Sequence, residues 1–380
     1  MQKLNIPSFC DQAVMPLPGS HVVLGMSGGV DSSTTAAILK ECGCVVHGIY
    51  LKLFDAKSVE RAETDAKDVG ALLGVPVETI DYREQFDKFV IRPFVEMYCD
   101  GKTPLPCAIC NYEIKYRALC TYARQIGACF VATGHYAQKM LIDGIVALCP
   151  AEDKSRDQSY FMFGLRKEQL EMAVFPLGRA VKTHVRQYAK EYGLHVSQKP
   201  DSQDICFLSE YNGQYVAFIK EFIANHPQIN LMIESGSILD ENSNIIGKHE
   251  GAINYTIGQR RGLGISAANP LYVFKIRNND VFVGNKDKLI IKKTFIKACN
   301  YHPLAIEILS KDAPVDVYAQ YRSTMSPIKA TFEYSDRDSS DGIVTFETGQ
   351  YGVSPGQAVV FRTQDGVVLG GGWIDKTENT

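Results

Sequence analysis

A run of glycines and hydroxyl residues near the amino terminus has the composition of an anion-binding turn. Residues 24–33 read Leu-Gly-Met-Ser-Gly-Gly-Val-Asp-Ser-Ser, between the mostly apolar run 21–24 and the helix-favouring run 34–40. Glycines let the backbone approach a ligand closely, and a helix N-terminus adds free N–H donors and the positive end of the helix dipole. The pattern predicts a strand, a tight turn and a helix start that together cradle phosphate.

This cradle lacks the lysine of the G-x-x-x-x-G-K-[ST] loop, which acts on the β- and γ-phosphates of a nucleotide. A cradle without that lysine suits an ATP that is cleaved to AMP and pyrophosphate. The alternative is a Gly/Ser turn that only caps a helix. The string resembles the S-G-G-x-D-S-S signature of the pyrophosphate-loop (N-type) ATP pyrophosphatases, which adenylate a substrate oxygen before a thiol, amine or ammonia displaces AMP.

Two later loops carry cysteines that could take part in such a displacement. Residues 103–111 read Thr-Pro-Leu-Pro-Cys-Ala-Ile-Cys-Asn, and residues 199–207 read Lys-Pro-Asp-Ser-Gln-Asp-Ile-Cys-Phe. The first loop precedes a helix, whose dipole favours a thiolate. A thiol near an ATP site could attack an adenylated base or carry sulfur as a persulfide. Zinc is disfavoured, because Cys107, Cys110 and Cys206 would still need a fourth ligand.

The other cysteines are expected to be mostly small buried hydrophobic residues. They are Cys10, Cys42, Cys44, Cys99, Cys120, Cys129, Cys149 and Cys299. The cysteines number eleven, which is odd, and they are scattered along the chain, so a disulfide framework is not expected. Residues 1–20 have no continuous apolar segment, so a secretory signal is not expected either. The reducing cytosol is the expected compartment.

Length and charge narrow the class of protein further. A chain of 380 residues is expected to form two or three domains, and it contains no apolar run long enough to cross a membrane. A net charge of −3 argues against non-specific coating of nucleic acid, although a local basic patch could still bind RNA. Neither a membrane nor DNA is expected as a partner.

The order of predicted elements indicates an α/β fold. Strands are predicted at 45–51, 75–80 and 129–133, and helices at 61–73 and 114–127, which implies a doubly wound parallel sheet with ligands at the carboxyl ends of its strands. After about residue 210 short β-rich runs take over, including a hairpin at 271–284. The predicted division is a loosely ordered lead-in (1–20), an ATP-binding catalytic domain (21–210), a small central β-domain (211–295) and a C-terminal β-barrel (296–380).

Several motifs in fixed order make the resemblance specific. They are residues 27–33, 103–115, 132–136, 157–161, 201–207 and 255–265. Together they are similar to the tRNA-specific 2-thiouridylase family, over about residues 21–375. The resemblance implies an adenine nucleotide alpha hydrolase-like first domain. It also implies an ATP site formed by Gly25, Met26, Ser27, Gly28, Gly29, Val30, Asp31, Ser32, Leu51 and Gly134.

The same resemblance implies roles for the thiols and for RNA-contacting residues. Cys110 matches the position of the family's nucleophilic cysteine, and Cys206 matches that of the cysteine that carries persulfide sulfur. The loop Leu105–Cys107, with Pro106 at its centre, would meet the target base. Further tRNA contacts would be His135, Arg156, Asp157, Gln158, Tyr321, Arg322 and Gln357.

Two of these segments also have alternative interpretations. Residues 258–264 could be only a glycine-rich turn, but Arg260 and Arg261 beside Lys248 and His249 favour a phosphate-facing patch. Residues 157–161 could be a helix cap that leads into buried aromatic residues. The lone His184, His195 and His302 are expected to be structural or solvated.

One position departs from the family pattern. Many members have Asp where this chain has Cys107, and Asn where it has Leu105. Cys107, Cys110 and Cys206 could therefore hold three irons of a [4Fe–4S] cluster whose fourth iron binds sulfide, as in a related group of thiolases. The persulfide route is favoured here, because the rest of the loop follows the Asp-bearing members.

The function expected is ATP-dependent 2-thiolation of the wobble uridine of tRNA. The uracil C2 oxygen would be adenylated, with Mg²⁺ neutralising phosphate charge. Sulfur would come from a persulfide on Cys206, supplied by a sulfur-relay donor protein, and Cys110 would release sulfide or form a redox disulfide with Cys206. The rival interpretations are a small-molecule amidotransferase or ligase of the same fold, and a cluster-bearing RNA-binding or sensing protein with a vestigial ATP loop.

Overall fold

The computed structural model describes residues 15–201, 204–229, 231, 233–309, 311, 313–336 and 339–379. Cys10 and most of the predicted lead-in lie outside the described residues. Ser202 and Gln203, in the middle of the second cysteine loop, also lie outside them.

The first domain is built on a parallel sheet. Its strands follow the order β3-β2-β1-β4-β7, and every neighbouring pair is parallel, as predicted. The strands are β1 (His21–Gly25), β2 (Val45–Lys52), β3 (Val77–Asp81), β4 (Phe130–Ala132) and β7 (Ala173–Val174). The cradle follows β1 directly, at the edge where the carboxyl ends of the strands meet.

Helices cover both faces of this sheet. The predicted helix at 61–73 begins earlier, at Lys57, and it packs Val59, Ala66 and Val69 against the sheet before ending at the left-handed Gly74. The helices of the domain are α1 (Val30–Glu41), α2 (Lys57–Leu73), α3 (Arg83–Phe86), α4 (Arg92–Cys99), α5 (Pro106–Ile109), α6 (Tyr116–Gln125), α7 (Lys167–Met172) and α8 (Lys182–Glu191).

The helix predicted after the first cysteine loop is not a single α-helix. Helix α5 passes into a π-helical segment, Cys110–Lys115, and only then into α6. A similar π segment, Asp87–Ile91, joins α3 to α4. π segments are rare and occur frequently at functional sites. Here one of them begins at the second cysteine of the loop.

The central part of the chain forms a small sheet with the order β10-β11-β8-β9. The predicted hairpin is confirmed, and its turn uses Asn278 and Asn279 with positive φ angles of 48° and 64°. Two consecutive positive φ angles match the twist of paired strands, and Asn tolerates them well. The elements are α9 (Tyr215–Asn225), β8 (Gly236–Leu239), β9 (Ile245–His249), β10 (Tyr272–Arg277) and β11 (Asp280–Gly284).

The C-terminal part forms a closed antiparallel barrel of six strands. The order is β12-β15-β14-β13-β16-β17, and pairing of β12 with β17 closes it. The elements are β12 (Ile290–Tyr301), α10 (Pro303–Ile308), β13 (Val315–Gln320), β14 (Ile328–Tyr334), β15 (Gly342–Tyr351), β16 (Ala358–Arg362) and β17 (Val368–Asn379). The predicted domain border at 295/296 falls within β12.

A hairpin from the first domain joins the barrel sheet. Strands β5 (Ala137–Ile142) and β6 (Ile145–Pro150) pair with each other, and Leu148 of β6 pairs with Val368 of β17. The same two domains share one hydrophobic core, in which Tyr116 and Phe163 lie in a cluster with Val360. The barrel is therefore joined to the ATP-binding domain by packing as well as by chain connectivity.

Within the described residues, no helix is long and apolar enough to cross a membrane.

Candidate functional site

The cradle has the backbone geometry of an anion site. Gly28 has a φ of +67°, and a Cβ there would collide with the carbonyl of Ala62, so glycine is required. Gly29 caps α1 without a side-chain hydrogen bond, which leaves the first N–H groups of the helix without a side-chain cap. The Oγ of Ser32 accepts a hydrogen bond from the Ser27 N–H at 3.1 Å and fixes the turn.

Two neighbouring strands frame the cradle. Met26 is buried and donates its N–H to the Ile49 carbonyl of β2, two residues before Leu51. On the other side, Gly134, which comes just after β4, packs against the start of α1. A Cβ at Gly134 would lie 2.8 Å from the Ser32 nitrogen. The predicted nucleotide-site residues, Gly25 to Ser32 with Leu51 and Gly134, therefore lie at one edge of the sheet.

Lys182, which sequence reasoning missed, ties the cradle to the second cysteine loop. Its side chain is 9% exposed, and its Nζ lies 2.7 Å from both carboxylate oxygens of Asp31 and 2.8 Å from the carboxylate of Asp201. Tyr136 donates its hydroxyl to Asp31 at 2.9 Å. The sequence carries little signal for this role, because Lys182 and Asp31 are 151 positions apart.

A second lysine makes a parallel connection. Lys199 donates to the Gly28 carbonyl at 2.9 Å and pairs with Asp65 at 2.6 Å. Asp201 also pairs with Arg186 and Arg156. Burial works to raise the pKa of Asp201, but the hydrogen bond from Lys182 and the surrounding positive charges outweigh it and lower that pKa. The cradle is thus bordered by a network of lysine and arginine side chains, each paired with a carboxylate.

The three candidate cysteines lie close enough to influence one another. Cys107 is exposed on α5, Cys206 is exposed at the start of the 3-10 turn Cys206–Tyr211, and Cys110 is buried. Cys110 and Phe207 belong to the same hydrophobic cluster, so the two loops meet there. Desolvation raises the pKa of Cys206, and negative charge on Cys110 and then on Cys107 acts in the same direction.

The helix dipole was expected to favour the thiolate form, but the pKa values of these thiols are raised, which favours the protonated form. Desolvation by the surrounding protein raises the pKa of Cys110 to about 11 and that of Cys206 to about 12, and it also raises that of Cys107. The charge of Lys115 acts in the opposite sense on all three thiols. At neutral pH the thiols are therefore protonated, and Lys115 is the charge that limits the upward shift.

Across the described part of the chain, no group of three His, Cys, Asp or Glu side chains is arranged to hold a metal ion.

His135, three residues after β4, is a neutral imidazole. Desolvation, together with the nearby charge of Lys115, lowers its pKa well below the ordinary value. Its Nδ1 lies 2.9 Å from the Thr133 hydroxyl, which also bonds Tyr116. A neutral, half-buried imidazole can hydrogen-bond a base but cannot neutralise a phosphate.

The segment Arg156–Gln158 is largely engaged inside the protein. Asp157 accepts hydrogen bonds from the Ala151 and Ser159 amides, and Gln158 accepts one from the Tyr136 amide. Asp157 and Gln158 lead into the short 3-10 turn Ser159–Met162 and its buried Tyr160, but the cap residue, Gln158, makes no side-chain cap hydrogen bond. Arg156 is the exposed member of the three.

A cavity of about 310 Å³ lies where the three domains meet. Its lining includes Thr103 and Leu105 from the first domain, Thr256 from the central domain, and Arg322 and Gln357 from the barrel.

The barrel residues differ in what they can offer a ligand. Arg322 is exposed, although one of its nitrogens donates to the Gly352 carbonyl at 2.8 Å. Tyr321 is buried, and its hydroxyl donates to Gln350 at 3.2 Å. Tyr321 can therefore support Arg322 but presents little surface of its own.

Arg260 and Arg261 are exposed on the loop between β9 and β10 of the central sheet. With residues 262–271, Arg260 lines an open recess of about 660 Å³. Lys248 is exposed as well, but the expected contribution of His249 is wrong. His249 is buried and hydrogen-bonded to the Asn279 carbonyl and the Gly251 amide.

The remaining cysteines are mostly as expected. Cys42, Cys44, Cys120 and Cys149 are buried, and Cys99 and Cys299 are half-buried. Cys129 is exposed, contrary to the prediction, because it comes just before β4 begins at Phe130. The expectation for the lone histidines is met, since His184 and His195 are exposed and His302 is buried.

Comparison with known protein families matches the chain in three consecutive parts. Residues 20–210 match the tRNA methyl transferase HUP domain, residues 220–285 the tRNA methyl transferase PRC-barrel domain, and residues 292–374 the aminomethyltransferase beta-barrel domain. Fold and site thus define a HUP-domain protein with two appended β-domains.

Individual relatives are similar over nearly the whole chain. The tRNA-specific 2-thiouridylase MnmA of Rickettsia felis is 43% identical over 94% of this chain and 97% of its own length. That of Koribacter versatilis is 38% identical over 93% of this chain and 98% of its own length. The chain belongs to the tRNA-specific 2-thiouridylase MnmA family.

Among solved structures, the U34-tRNA thiolase NcsA of Methanococcus maripaludis with its [4Fe-4S] cluster is similar with a TM-score of 0.36 and 17% identity. That similarity covers 57% of this chain and 68% of the thiolase chain.

Proposed function

We propose that this protein is an ATP-dependent tRNA uridine 2-sulfurtransferase. It adenylates the C2 oxygen of the wobble uracil and then replaces that oxygen with sulfur from a cysteine persulfide. The products are 2-thiouridine, AMP and pyrophosphate. The compartment we propose is the cytoplasm, where thiols stay reduced and tRNA is present.

One observation carries this proposal: the phosphate cradle and the Cys206 loop are held together by two lysines. Lys182 bridges Asp31 to Asp201, and Lys199 reaches the Gly28 carbonyl from the base of the same loop. A small-molecule ligase of this fold would need an ATP cradle but no paired thiols beside it. The direct connection between the two loops therefore favours sulfur transfer.

In the first step the cradle would bind the phosphates of ATP. The uncapped N–H groups of α1 would meet the phosphate oxygens, and the uracil C2 oxygen would attack the α-phosphorus while pyrophosphate leaves. Mg²⁺ would neutralise phosphate charge. The Asp31 carboxylate within the cradle is already paired with Lys182 and Tyr136. Gly134 and Leu51 would flank the nucleotide.

In the second step sulfur moves and AMP leaves. The terminal sulfur of a Cys206 persulfide attacks C2 of the adenylated uracil, which expels AMP and leaves the base joined to Cys206 through two sulfurs. The Cys110 thiolate then attacks the Cys206 sulfur, which releases 2-thiouridine and forms a Cys110–Cys206 disulfide. Alternatively, Cys110 attacks first and releases hydrosulfide, which attacks C2. A thiol reductant then restores both cysteines.

Two partners follow from this scheme. One is tRNA, whose target base we place at the loop Leu105–Cys107 beside the neutral His135. Arg156, Arg260, Arg261 and Arg322 are exposed and could contact phosphates. Asp157, Gln158 and Tyr321 would support that surface. The other partner is a persulfide-carrying donor protein, which the exposed Cys206 could meet directly.

The cluster alternative uses the same cysteines in another way. In that scheme Cys107, Cys110 and Cys206 would ligate a [4Fe–4S] cluster. We propose the persulfide route, because the rest of the loop around Cys107 follows the family members that have Asp at this position.

The test is nucleoside mass spectrometry of tRNA after incubation with ATP and a persulfide donor. The protein should produce 2-thiouridine together with stoichiometric AMP and pyrophosphate. Cys206→Ser should yield no 2-thiouridine while tRNA-stimulated pyrophosphate release persists. Release of pyrophosphate without any thiolated nucleoside from the unaltered protein would falsify the proposal.

A further inference from the structure

A turn of the barrel holds the loop that leads to the candidate cysteines. The Thr103 N–H donates to the Pro355 carbonyl at 2.9 Å. The side-chain amide of Gln357 donates in turn to the Thr103 carbonyl at 2.9 Å and to the Pro104 carbonyl at 3.2 Å. Both backbone polar groups of Thr103 are therefore bonded to the barrel.

Residues 103–106, which lead into α5, make few hydrogen bonds within their own segment. Pro104 and Pro106 have no N–H group, and the described backbone bonds of α4 end at the Lys102 amide, which bonds Met97. After the Thr103 amide, which bonds the barrel, the next of these backbone bonds joins the Ala108 amide to the Leu105 carbonyl at the start of α5. The direction in which α5 begins is thus set at Thr103 and Pro104, where Gln357 binds.

The turn that makes these contacts is itself rigid. The Gly356 amide donates to the Ile374 carbonyl, and the Ile374 amide donates to the Gln357 carbonyl, so both residues are fixed to β17. Gly356 has a φ of +89°, and a Cβ there would lie 2.8 Å from the Thr103 carbonyl oxygen. Only glycine permits this close approach.

The central domain packs against the same segment, residues 101–104, from another side. Gly101 has a φ of +69°, and a Cβ at this position would lie 2.8 Å from the Cβ of Ile276 on β10. The segment 101–104 is therefore enclosed by both appended domains before it enters α5.

From these contacts we infer that Gln357 is a positioning residue for the thiol chemistry. Its amide fixes Thr103 and Pro104, and through them the start of α5 and the place of Cys107 and Cys110 relative to the ATP cradle. The inference rests on the proposed function, and it gives Gln357 a task that precedes tRNA binding. A residue whose task is to contact tRNA would instead act only once the RNA is bound.

The test uses Gln357→Met in the full-length protein, since methionine keeps the volume but removes both donors. Without tRNA or ATP, amide hydrogen exchange in the peptide containing Thr103 and iodoacetamide labelling of the buried Cys110 should both speed up. Two lost hydrogen bonds correspond to roughly a five- to thirty-fold change in an opening equilibrium. The turnover rate for 2-thiouridine should fall by a similar factor, while the Kd for tRNA stays within about twofold of the unaltered value.

Gln364→Met is the matched control, because Gln364 is exposed on another turn of the same barrel. It should change none of these quantities. Gln357→Asn is the second variant, for use if the methionine variant does not fold. It keeps an amide that is one methylene too short, and it should reproduce the faster exchange.

Two results would overturn the inference. One is unchanged exchange and labelling with a weakened Kd for tRNA, which would make Gln357 an RNA contact. The other is no change in any quantity. Because exchange and labelling are measured without substrates, they report on the hydrogen bonds from Gln357 to Thr103 and Pro104 even if the unaltered protein makes no 2-thiouridine.

Discussion

At the scale of single residues, the candidate thiols share one nearby charge. Desolvation raises the pKa of Cys107, Cys110 and Cys206, and Lys115 opposes that rise at each of them. Its Nζ is held by Asn111 at 3.2 Å, so the charge has a fixed place. A sulfur-transfer step that needs a thiolate should therefore depend on Lys115 without Lys115 touching the base.

Replacing Lys115 by Met should shift the pH dependence of 2-thiouridine formation. The rate rises with pH as a thiol ionises, so a higher thiol pKa moves that rise to higher pH. At neutral pH the rate should fall by up to about tenfold, one unit of pKa corresponding to a factor of about ten. It should recover in alkaline buffer. Lys115→Arg keeps the charge and should keep the profile, and a uniformly lower rate at every pH would contradict this explanation.

The role of Cys107 separates the two sulfur mechanisms. In a persulfide relay it lies beside the base, so Cys107→Ser should reduce thiolation by less than about tenfold, or ~1.4 kcal/mol of activation free energy. Cys110→Ser should eliminate product while adenylation persists. Iron and sulfide analysis after anaerobic purification is the companion measurement. Stoichiometric cluster content that activity follows, and that Cys107→Ser removes, would overturn the relay.

At the scale of elements, the close packing of β4 against α1 defines the nucleotide edge. Gly134→Ala would place a Cβ 2.8 Å from the Ser32 nitrogen and 2.9 Å from the Asp31 carbonyl carbon. Both contacts are with backbone, so the helix start must shift. Overpacking of this kind costs about 1–3 kcal/mol.

We therefore expect the KM for ATP to rise by about tenfold in Gly134→Ala, while the Kd for tRNA is unchanged. Pyrophosphate release at varied ATP concentration measures the first quantity, and filter binding measures the second. Gly247→Ala serves as control, because a Cβ there would meet its nearest neighbours at ordinary distances of 3.5 and 3.6 Å. Equal KM values in the two variants would argue against a nucleotide at this edge.

The elements that sequence reasoning predicted well are those whose signal is local. Strand β2, helix α2 and the β10–β11 hairpin have clear periodicity or turn residues, and all three are present. The cradle was also recognisable, because glycine spacing and a helix start lie within ten residues. The C-terminal barrel was predicted as well, but the attachment of the β5–β6 hairpin to it was not, since Leu148 pairs with Val368 far along the chain.

The same limit applies to the site. Lys182 and Lys199 reach Asp31 and Gly28 across 151 and 171 positions, so neither lysine has a local signature. Gln357 was singled out only by resemblance, and its bonds to Thr103 and Pro104 span more than 250 positions. Contacts of this length are set by the tertiary fold.

At the scale of the whole molecule, a net charge of −3 makes the distribution of basic residues decisive for RNA binding. Arg260 and Arg261 are exposed in the central domain, away from the buried cations of the cradle. Each phosphate contact releases a counterion, so affinity should fall with salt in proportion to the number of contacts.

The double variant Arg260→Ala with Arg261→Ala should weaken binding to all tRNAs. The slope of log Kd against log salt concentration should become shallower by about one to two units. Arg124→Ala with Lys190→Ala removes the same two charges from exposed helix positions and should leave the slope nearly unchanged. An unaltered slope in the first variant would mean that residues 258–264 form only a turn.

The core shared by the first and last domains also bears on how such a protein can be divided or evolve. Tyr116, Phe163 and Val360 lie in one hydrophobic cluster, and strand β6 pairs with β17 of the barrel. A chain cut near residue 210 would expose that apolar surface together with an unpaired strand edge, which invites strand addition by another copy. The ATP-binding and barrel parts are therefore expected to be inherited, expressed and unfolded as one piece, whereas the central sheet, with a separate core around Val273, is the more exchangeable module.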